Sequence, residues 1–221
     1  MKTKISVIMV IKNYSHKKLK TCIESIVSQD YPNFEIIVKH NGSQEELVNL
    51  KKDFSESFIK IISKPDNCLG DAANQAMEYA TGDIISIFHH DDIFCDGAFL
   101  KISESIDSSM WYFGKINYHI KGNPVPTYYK ESVSLSDMKH ENYIPQPACF
   151  FKKETYKEIG KFNDTMKLCW DYDYWVRILK KYKPKYIPFS FANYYLNENS
   201  ISLKFPQEMM DAEKLEIQNS I

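Results

Sequence analysis

Two adjacent acidic residues placed just after an apolar run are the feature of this sequence that most directly suggests chemistry. Asp91 and Asp92 follow Ile84–Phe88, whose uncharged residues predict a buried strand. Ligands of open parallel sheets bind just beyond the carboxyl ends of the strands. Two adjacent carboxylates at such a place need a cation to neutralise their charge. Their hard oxygen atoms favour Mg²⁺ or Mn²⁺, and a cation held in this way commonly binds a phosphate as well. The alternative is a solvated acidic turn that caps the next helix.

Two histidines come directly before this acidic pair and raise the possibility of a metal cluster. If the strand continued, alternation would place His89 and Asp91 on one side and His90 and Asp92 on the other. We therefore do not expect a compact four-ligand site. Imidazole titrates near neutrality, so His89 and His40 are expected to become cationic below a pH of about 6.5.

A second acidic and aromatic segment lies in the second half of the chain, at 170–177. Asp171 is expected at a helix start, where the positive end of the helix dipole lowers a carboxylate pKa. An N-cap is the alternative role of this aspartate, and both roles are compatible. Asp173 is expected to pair with Arg177, its i+4 neighbour. The segment also holds four aromatic residues: Trp170, Tyr172, Tyr174 and Trp175. Most aromatic residues pack in protein cores, but their faces also suit sugar rings. We expect one of the four to contact a bound ligand.

Strands and helices alternate in the sequence pattern of the first half, which predicts a doubly wound parallel sheet. Strands are predicted at 5–11, 34–38, 59–62 and 84–88, and helices lie between them. The second half is less regular. It has predicted strands at 111–120, 148–151 and 186–192, a turn at 122–124, and helices at 154–159 and from about 171.

Composition sets outer bounds on the class of protein. The chain has 221 residues, 43% of them hydrophobic, and a net charge of −1, so no global field draws it to nucleic acid. Its five cysteines lack a CxxC pair, which disfavours a zinc site or a disulfide framework and suits a reducing cytoplasm. The apolar run at 5–11 is too short for a signal peptide, and we expect no membrane-spanning segment.

Five motifs in register resemble the family 2 glycosyltransferases, whose nucleotide-sugar fold is the GT-A type. They are Ser6–Val10, Glu35–Val38 with Asn41-Gly42-Ser43, Ala80–Asp83, Asp91-Asp92 and Trp170–Arg177. The resemblance covers roughly residues 4–203. It implies a single α/β domain of GT-A type, with a mostly parallel doubly wound sheet and helices on both faces. In this division, 1–205 is the glycosyltransferase domain, with 1–110 as the nucleotide-sugar half and 111–205 as the acceptor half, and 206–221 is a C-terminal helix or tail.

The resemblance also assigns expected roles to residues. Asp92 would bind Mn²⁺ or Mg²⁺, Asp91 would bond the ribose, and Asp171 would be the general base of an inverting transfer. Trp170 and Tyr172 would bind the acceptor. The remaining donor contacts would be Ile11, Asn13, His40, Asn41, Asn67, Asp71, Asn74 and His90.

The donor is expected to be a nucleotide sugar, most simply a UDP-sugar, and the acceptor a glycan or a lipid-linked saccharide. The enzyme would be of hexosyltransferase type in polysaccharide assembly. The expected location is cytoplasmic, with at most peripheral contact at the inner membrane face. The lysine run 180–185 suggests either such contact or a solvated helix end.

Several positions depart from the family pattern near the expected donor site. His40-Asn41 replaces the usual base-reading carboxylate, although the Asn41 amide still suits uracil or thymine. His89 and Asn67-Cys68 replace other family residues, and Tyr195 and Asn197 leave the diphosphate without its usual cationic partner there. A rival hypothesis follows: a weakened glycosyltransferase-like domain that binds a glycan or a partner.

Overall fold

The first half of the chain alternates strands and helices as predicted. The computed structural model describes residues 2–12, 14–196 and 200–221, so Asn13 and Asn197 lie outside the described residues. The elements of this half, in order, are β1 (Ile5–Ile11), α1 (His16–Val27), β2 (Phe34–His40), α2 (Gln44–Asp53), β3 (Ile59–Ser63), α3 (Leu69–Met77) and β4 (Ile84–Phe88).

The second half mixes short helices with strands that extend the same sheet. Its elements are β5 (Ile93–Phe94), α4 (Ala98–Ser105), β6 (Trp111–Ile120), β7 (Asn123–Val125), α5 (Leu135–Met138), β8 (Cys149–Lys152), α6 (Lys153–Ile159), α7 (Trp170–Leu179), β9 (Lys185–Leu196), α8 (Ile201–Lys204) and α9 (Gln207–Asn219). A 3₁₀ turn at Gln146–Ala148 precedes β8.

One sheet runs through the described part of the chain in the order β3-β2-β1-β4-β8-β6-β9-β5, and β7 pairs with β6. The four strands of the first half are parallel, so their carboxyl ends lie at one edge. β6 and β9 are also parallel, whereas β8 runs antiparallel to both β4 and β6. The predicted single α/β domain of GT-A type with a mostly parallel sheet is confirmed.

Helices cover both faces of the sheet because successive β1 residues point to opposite sides. Ile8 and Val10 pack toward α3 and α7, whereas Val7 and Met9 pack toward α1 and α4. The resulting two apolar clusters hold the strands rigidly, and the polar loops at the carboxyl edge are built on that support.

Local capping explains where the helices near this edge begin. Ser15 Oγ accepts from Lys18 N at 3.4 Å at the start of α1. Ser43 and Glu46 form a reciprocal capping box at the start of α2. Each helix therefore starts a few residues after a strand end, which fixes the loops between them.

One sequence-based expectation needs correction in the second half. The predicted turn at 122–124 is shifted, because Asn123–Val125 forms β7 and the tight turn falls at Lys121 and Gly122, with φ of 50° and 80°. Of the two alternatives predicted for 206–221, a helix or a tail, the structure has the helix, α9, which packs into the core through Ile217, 2% exposed. No described helix combines the length and the apolar character that crossing a membrane requires.

Candidate active site

A tight turn holds the acidic pair just beyond the carboxyl end of β4. Asp92 N donates to His89 O at 3.2 Å, so the strand does not continue through these residues. The alternation that we predicted for His89–Asp92 is therefore wrong. The Phe88 and Phe94 rings stack with centroids 3.7 Å apart and pin the two ends of the turn. The turn is thus rigidly attached to the core.

Asp92 is buried with one carboxylate oxygen unsatisfied. The residue is 1% exposed, and Oδ1 accepts from Tyr195 N at 3.4 Å, because β5 pairs with β9 and brings Tyr195 alongside. Oδ2 has no hydrogen-bond partner among the described residues. Burial, and then the charge of Asp91, raise the pKa of Asp92 well above its usual range. A buried carboxylate of this kind is stabilised by a bound cation.

The acidic pair is compatible with a divalent cation that is shared with a ligand. In the part of the chain that the structure describes, no group of three or more His, Cys, Asp or Glu side chains could hold a metal. Mg²⁺ is usually held by one or two carboxylates together with substrate phosphates and water. Asp92 with its unsatisfied oxygen, and Asp91 beside it, match that donor set.

Two lysines from other parts of the chain lie close to this turn. Lys18 Nζ, from the first turn of α1, lies 3.9 Å from Asp91 Oδ2. Lys204, at the end of α8, lies close enough to His90 for its charge to lower the pKa of that imidazole. The Lys204 side chain is exposed and that of Lys18 is partly exposed, so both can reach a diphosphate bound to the turn.

The histidines of the site have a lowered pKa, so His40 and His89 become cationic only at a lower pH than the expected 6.5. Burial lowers the pKa of His40, His89 and His90, and in each case this outweighs the neighbouring carboxylates. His40 is fully buried, and its Nδ1 lies 3.3 Å from Ser63 Oγ. Protonation of these rings therefore requires a pH below the ordinary imidazole range.

The ends of β1 and β2 form the predicted base side of the cleft. Asn41 N donates to Ile11 O at 3.1 Å, which ties the two strand ends together. The Tyr14 ring meets both His40 and His90 edge-on, with centroids 6.4 Å away in each case. Tyr14 thus bridges the predicted base pocket and the acidic turn, and sequence reasoning missed it.

The residues before and within α3 that we predicted to bind the sugar donor make hydrogen bonds to other parts of the protein. Asp71 Oδ2 accepts from Asn67 N at 2.9 Å, which shapes the loop that enters the helix. Asn74 is buried; it donates to Phe162 O at 2.9 Å and accepts from Phe162 N at 2.8 Å. Asn74 therefore ties α3 to the segment before α7, and its role toward a donor stays a prediction.

Asp171 lies in the first turn of α7, on the same edge of the molecule. The Gln146 side chain donates to Ile87 O, which sets the start of β8 beside the end of β4. The Asp171 charge helps burial to raise the pKa of Cys149, the first residue of β8. Asp171 therefore lies near the start of β8, which is next to the end of β4 and the turn that carries Asp92.

The environment of Asp171 differs from the predicted one in two respects. Cys169 is the N-cap residue, so Asp171 is not the cap. Burial raises its pKa from the ordinary 3.8 to about 6, and the backbone N–H groups of the helix start only partly oppose this. Desolvation therefore outweighs the helix dipole, and the carboxylate titrates in the range that suits a general base. The predicted pair of Asp173 with Arg177 is confirmed, with Nε and Oδ2 2.8 Å apart.

A carboxylate from the C-terminal helix α9 holds the segment that leads into α7. Glu213 accepts from the backbone N–H groups of Lys167, Leu168 and Cys169 at 2.6, 2.9 and 2.8 Å. Such charge-assisted bonds fix the first turn of α7 and with it Asp171. No local sequence pattern predicts this contact, since the partners are more than 40 residues apart.

The aromatic residues around Asp171 are part of the core. Trp170 and Tyr172 are 3% and 1% exposed, and the Tyr172 hydroxyl donates to Met138 O. Tyr174 and Trp175 are also buried. The expectation that one of the four touches an acceptor stays a prediction, and in this structure none presents an exposed ring face.

The lysine run after α7 is largely engaged in local pairs. Lys181 pairs with Glu158, Lys185 lies 2.8 Å from Asp107, and Lys180 donates to Ser220 O at 2.7 Å. These contacts favour the solvated helix end over a free basic patch.

Comparison with known proteins decides the family. Residues 6–161 match the family described as Glycosyl transferase family 2. The chain belongs to this family. The family 2 match includes β1 to β4 and the acidic turn, which are the parts of the fold that build the cleft.

Sequence relatives agree with this family 2 membership. An uncharacterized glycosyltransferase of Bacillus subtilis, YwdF, is 28% identical over 194 residues, covering 84% of this chain and 71% of its own length. One of Rickettsia typhi is 25% identical over 195 residues. The match covers 58% of the Rickettsia typhi protein, so this chain spans little more than half the length of that relative.

Solved structures show the same fold. S. aureus TarS 1-349 in complex with UDP-GlcNAc superposes with a TM-score of 0.76 at 19% identity, covering 98% of this chain and 71% of that one. The same protein in complex with UDP gives 0.69. A nucleotide sugar therefore binds to a protein of this fold.

Proposed function

We propose that this family 2 chain transfers a sugar from a nucleotide-diphosphate donor, a UDP-sugar, to a hydroxyl of a glycan or lipid-linked saccharide. The observation that carries the proposal is the buried Asp92, whose unsatisfied Oδ2 lies in the turn after β4 next to Asp91. A dedicated cation site beside an acidic partner is what a diphosphate leaving group requires.

On the donor side, Asp92 would hold Mn²⁺ or Mg²⁺, and Asp91 would bond the ribose hydroxyls. The cation, when bound, neutralises the charge that develops on the departing diphosphate. Lys18 and Lys204 add positive charge at the same place, which compensates for the family residues that Tyr195 and Asn197 replace. Asn41 and Tyr14 would contact the base.

On the acceptor side, Asp171 is the general base. Its carboxylate takes the proton of the acceptor hydroxyl as that oxygen attacks the anomeric carbon from the face opposite to the leaving group. One bond forms while the bond to the diphosphate oxygen breaks, so the configuration inverts. A pKa of about 6 leaves most of the carboxyl ionised at pH 7.5 and still basic enough to accept the proton.

Slow donor hydrolysis tests the proposal without knowledge of the acceptor, because water can replace it. UDP-, GDP- and dTDP-sugars are incubated with the protein and Mn²⁺, and nucleotide release is measured. We expect release from one UDP-sugar, and we expect it to stop with EDTA and in Asp92→Ala. Asp96→Ala, a change at an exposed aspartate in the turn that follows β5, serves as the matched control and should retain hydrolysis.

The same panel separates this enzyme from the rival binding domain. Nucleotide-induced stabilisation without hydrolysis of any donor would favour a weakened glycosyltransferase-like module. Neither stabilisation nor hydrolysis across the panel would contradict donor binding altogether.

A further inference from the structure

A lysine is fully buried in β2, in the middle of a sheet whose neighbours are apolar. Lys39 is 0% exposed and lies between Val10 of β1 and Ile62 of β3 in the register. A buried ammonium group is costly unless it is paired and fully hydrogen-bonded. Strand formation alone therefore does not explain why this buried position holds a lysine.

All three hydrogens of the Lys39 ammonium group have acceptors, two in the loop that follows β3 and one at the end of β2. Nζ donates to Lys64 O at 2.6 Å, to Asp66 Oδ2 at 2.7 Å and to His40 O at 3.4 Å. The Asp66 side chain is itself only 9% exposed. The ion pair thus clamps the loop 64–67 onto the end of β2.

The clamped loop in turn orients the residue at the predicted base position. Asn41 Nδ2 donates to Asp66 O at 3.3 Å. This bond uses one of the two amide hydrogens and fixes the orientation of the Asn41 side chain, so that Oδ1 is the acceptor it offers to a ligand. A carbonyl oxygen there accepts a hydrogen bond, as the carboxylate usual in the family would.

We infer that Lys39 and Asp66 are positioning residues that set the polarity with which Asn41 reads the base of the donor. The inference rests on the proposed function and deepens it. An acceptor at Asn41 matches the ring N3–H of uracil or thymine. It opposes cytosine, whose N3 is itself an acceptor, and sites that hydrogen-bond a ligand reject analogues that leave the site unpaired.

The test measures UDP and CDP affinity, each with Mn²⁺, for the wild type and for Lys39→Met. We expect the wild type to prefer UDP by at least about tenfold. Lys39→Met should weaken UDP binding by about tenfold and reduce the preference to less than about threefold. The control is Lys64→Met, which removes a charge from the same loop but leaves its backbone acceptor, and it should keep the preference.

A second variant separates positioning from mere stability. Lys39→Met/Asp66→Leu removes both charges, so we expect its melting temperature to recover relative to Lys39→Met. Under the inference its UDP preference stays lost, and amide exchange in 63–68 stays faster than in the wild type. Recovery of the UDP preference together with stability would overturn the inference.

The two proposals fail in distinguishable ways. A wild type that binds neither nucleotide would contradict the proposed function. A wild type that prefers UDP, with the same preference and the same loop exchange in Lys39→Met, would overturn the role of the ion pair alone.

Discussion

Replacing Asp171 by asparagine should stabilise the protein while it disables transfer. Burial raises the pKa of Asp171 from 3.8 to about 6. The folded state therefore holds the proton more tightly than the unfolded state, and stability falls as the pH rises from about 4 to about 6. Two pH units at 1.36 kcal/mol each give a cost of about 3 kcal/mol above pH 6.

The neutral amide of Asp171→Asn avoids this cost but weakens the bonds from the backbone N–H groups of 171 and 172. We therefore expect a gain of about 1–3 kcal/mol in the free energy of unfolding at pH 7.5. At about pH 3 and below the gain should vanish, because this lies below the ordinary pKa of 3.8 and the carboxyl is then largely protonated in both states. Urea denaturation at both pH values measures the difference.

Transfer should respond in the opposite direction. Loss of a general base slows the reaction by about 10²-fold or more. In the wild type, kcat/KM should rise with pH to a plateau above about 6, and the variant should lose that dependence. Asp173→Asn is the matched control, since Asp173 pairs with Arg177 and should affect neither the plateau nor the rate.

Two results would refute this reasoning about Asp171. The first is a variant that transfers sugar at the wild-type rate, because Asp171 would then not be the base. The second is a variant that is less stable at pH 7.5 than the wild type, because the carboxylate would then be a stabilising group and its pKa would not be raised.

Three further predictions follow from the site and its supports. Lys204→Gln should raise the Kd for UDP about two- to fivefold in low salt, and a loss that persists in 1 M NaCl would argue against electrostatics. Glu213→Ala should cost about 3 kcal/mol in urea denaturation, because three backbone N–H groups lose a charged acceptor; a cost below about 0.5 kcal/mol would contradict that anchor. Phe94→Ala should cost about 3–5 kcal/mol and weaken UDP binding, because its stack with Phe88 pins the acidic turn, whereas undiminished UDP affinity would show that the turn needs no such support.

The sequence predicted the parallel half of the fold well because its signals are local. The apolar runs at 5–11 and 84–88 became β1 and β4 with the predicted bounds. Each run is buried on both faces, and polar residues end it on both sides. The acidic pair was found for the same reason, since a strand end followed by two aspartates is visible within ten residues.

The parts that the sequence did not predict depend on contacts between distant segments. The role of Glu213 needs α9 to fold back onto α7, and Lys204 reaches the cleft only because α8 follows the end of β9. The raised pKa of Asp171 depends on burial, which outweighs the helix dipole that the sequence suggested. Lys39 offered one usable signal, a lysine inside an otherwise apolar strand run.

The central claim is that Asp92 holds a divalent cation that UDP needs in order to bind, and calorimetry of UDP binding tests it most directly. UDP is titrated into the wild type with Mn²⁺, into the wild type with EDTA, and into Asp92→Ala with Mn²⁺. We expect tight binding only in the first titration, with at least about 2 kcal/mol of added stability at saturation. Equal UDP affinity in EDTA, or in Asp92→Ala, would contradict the account.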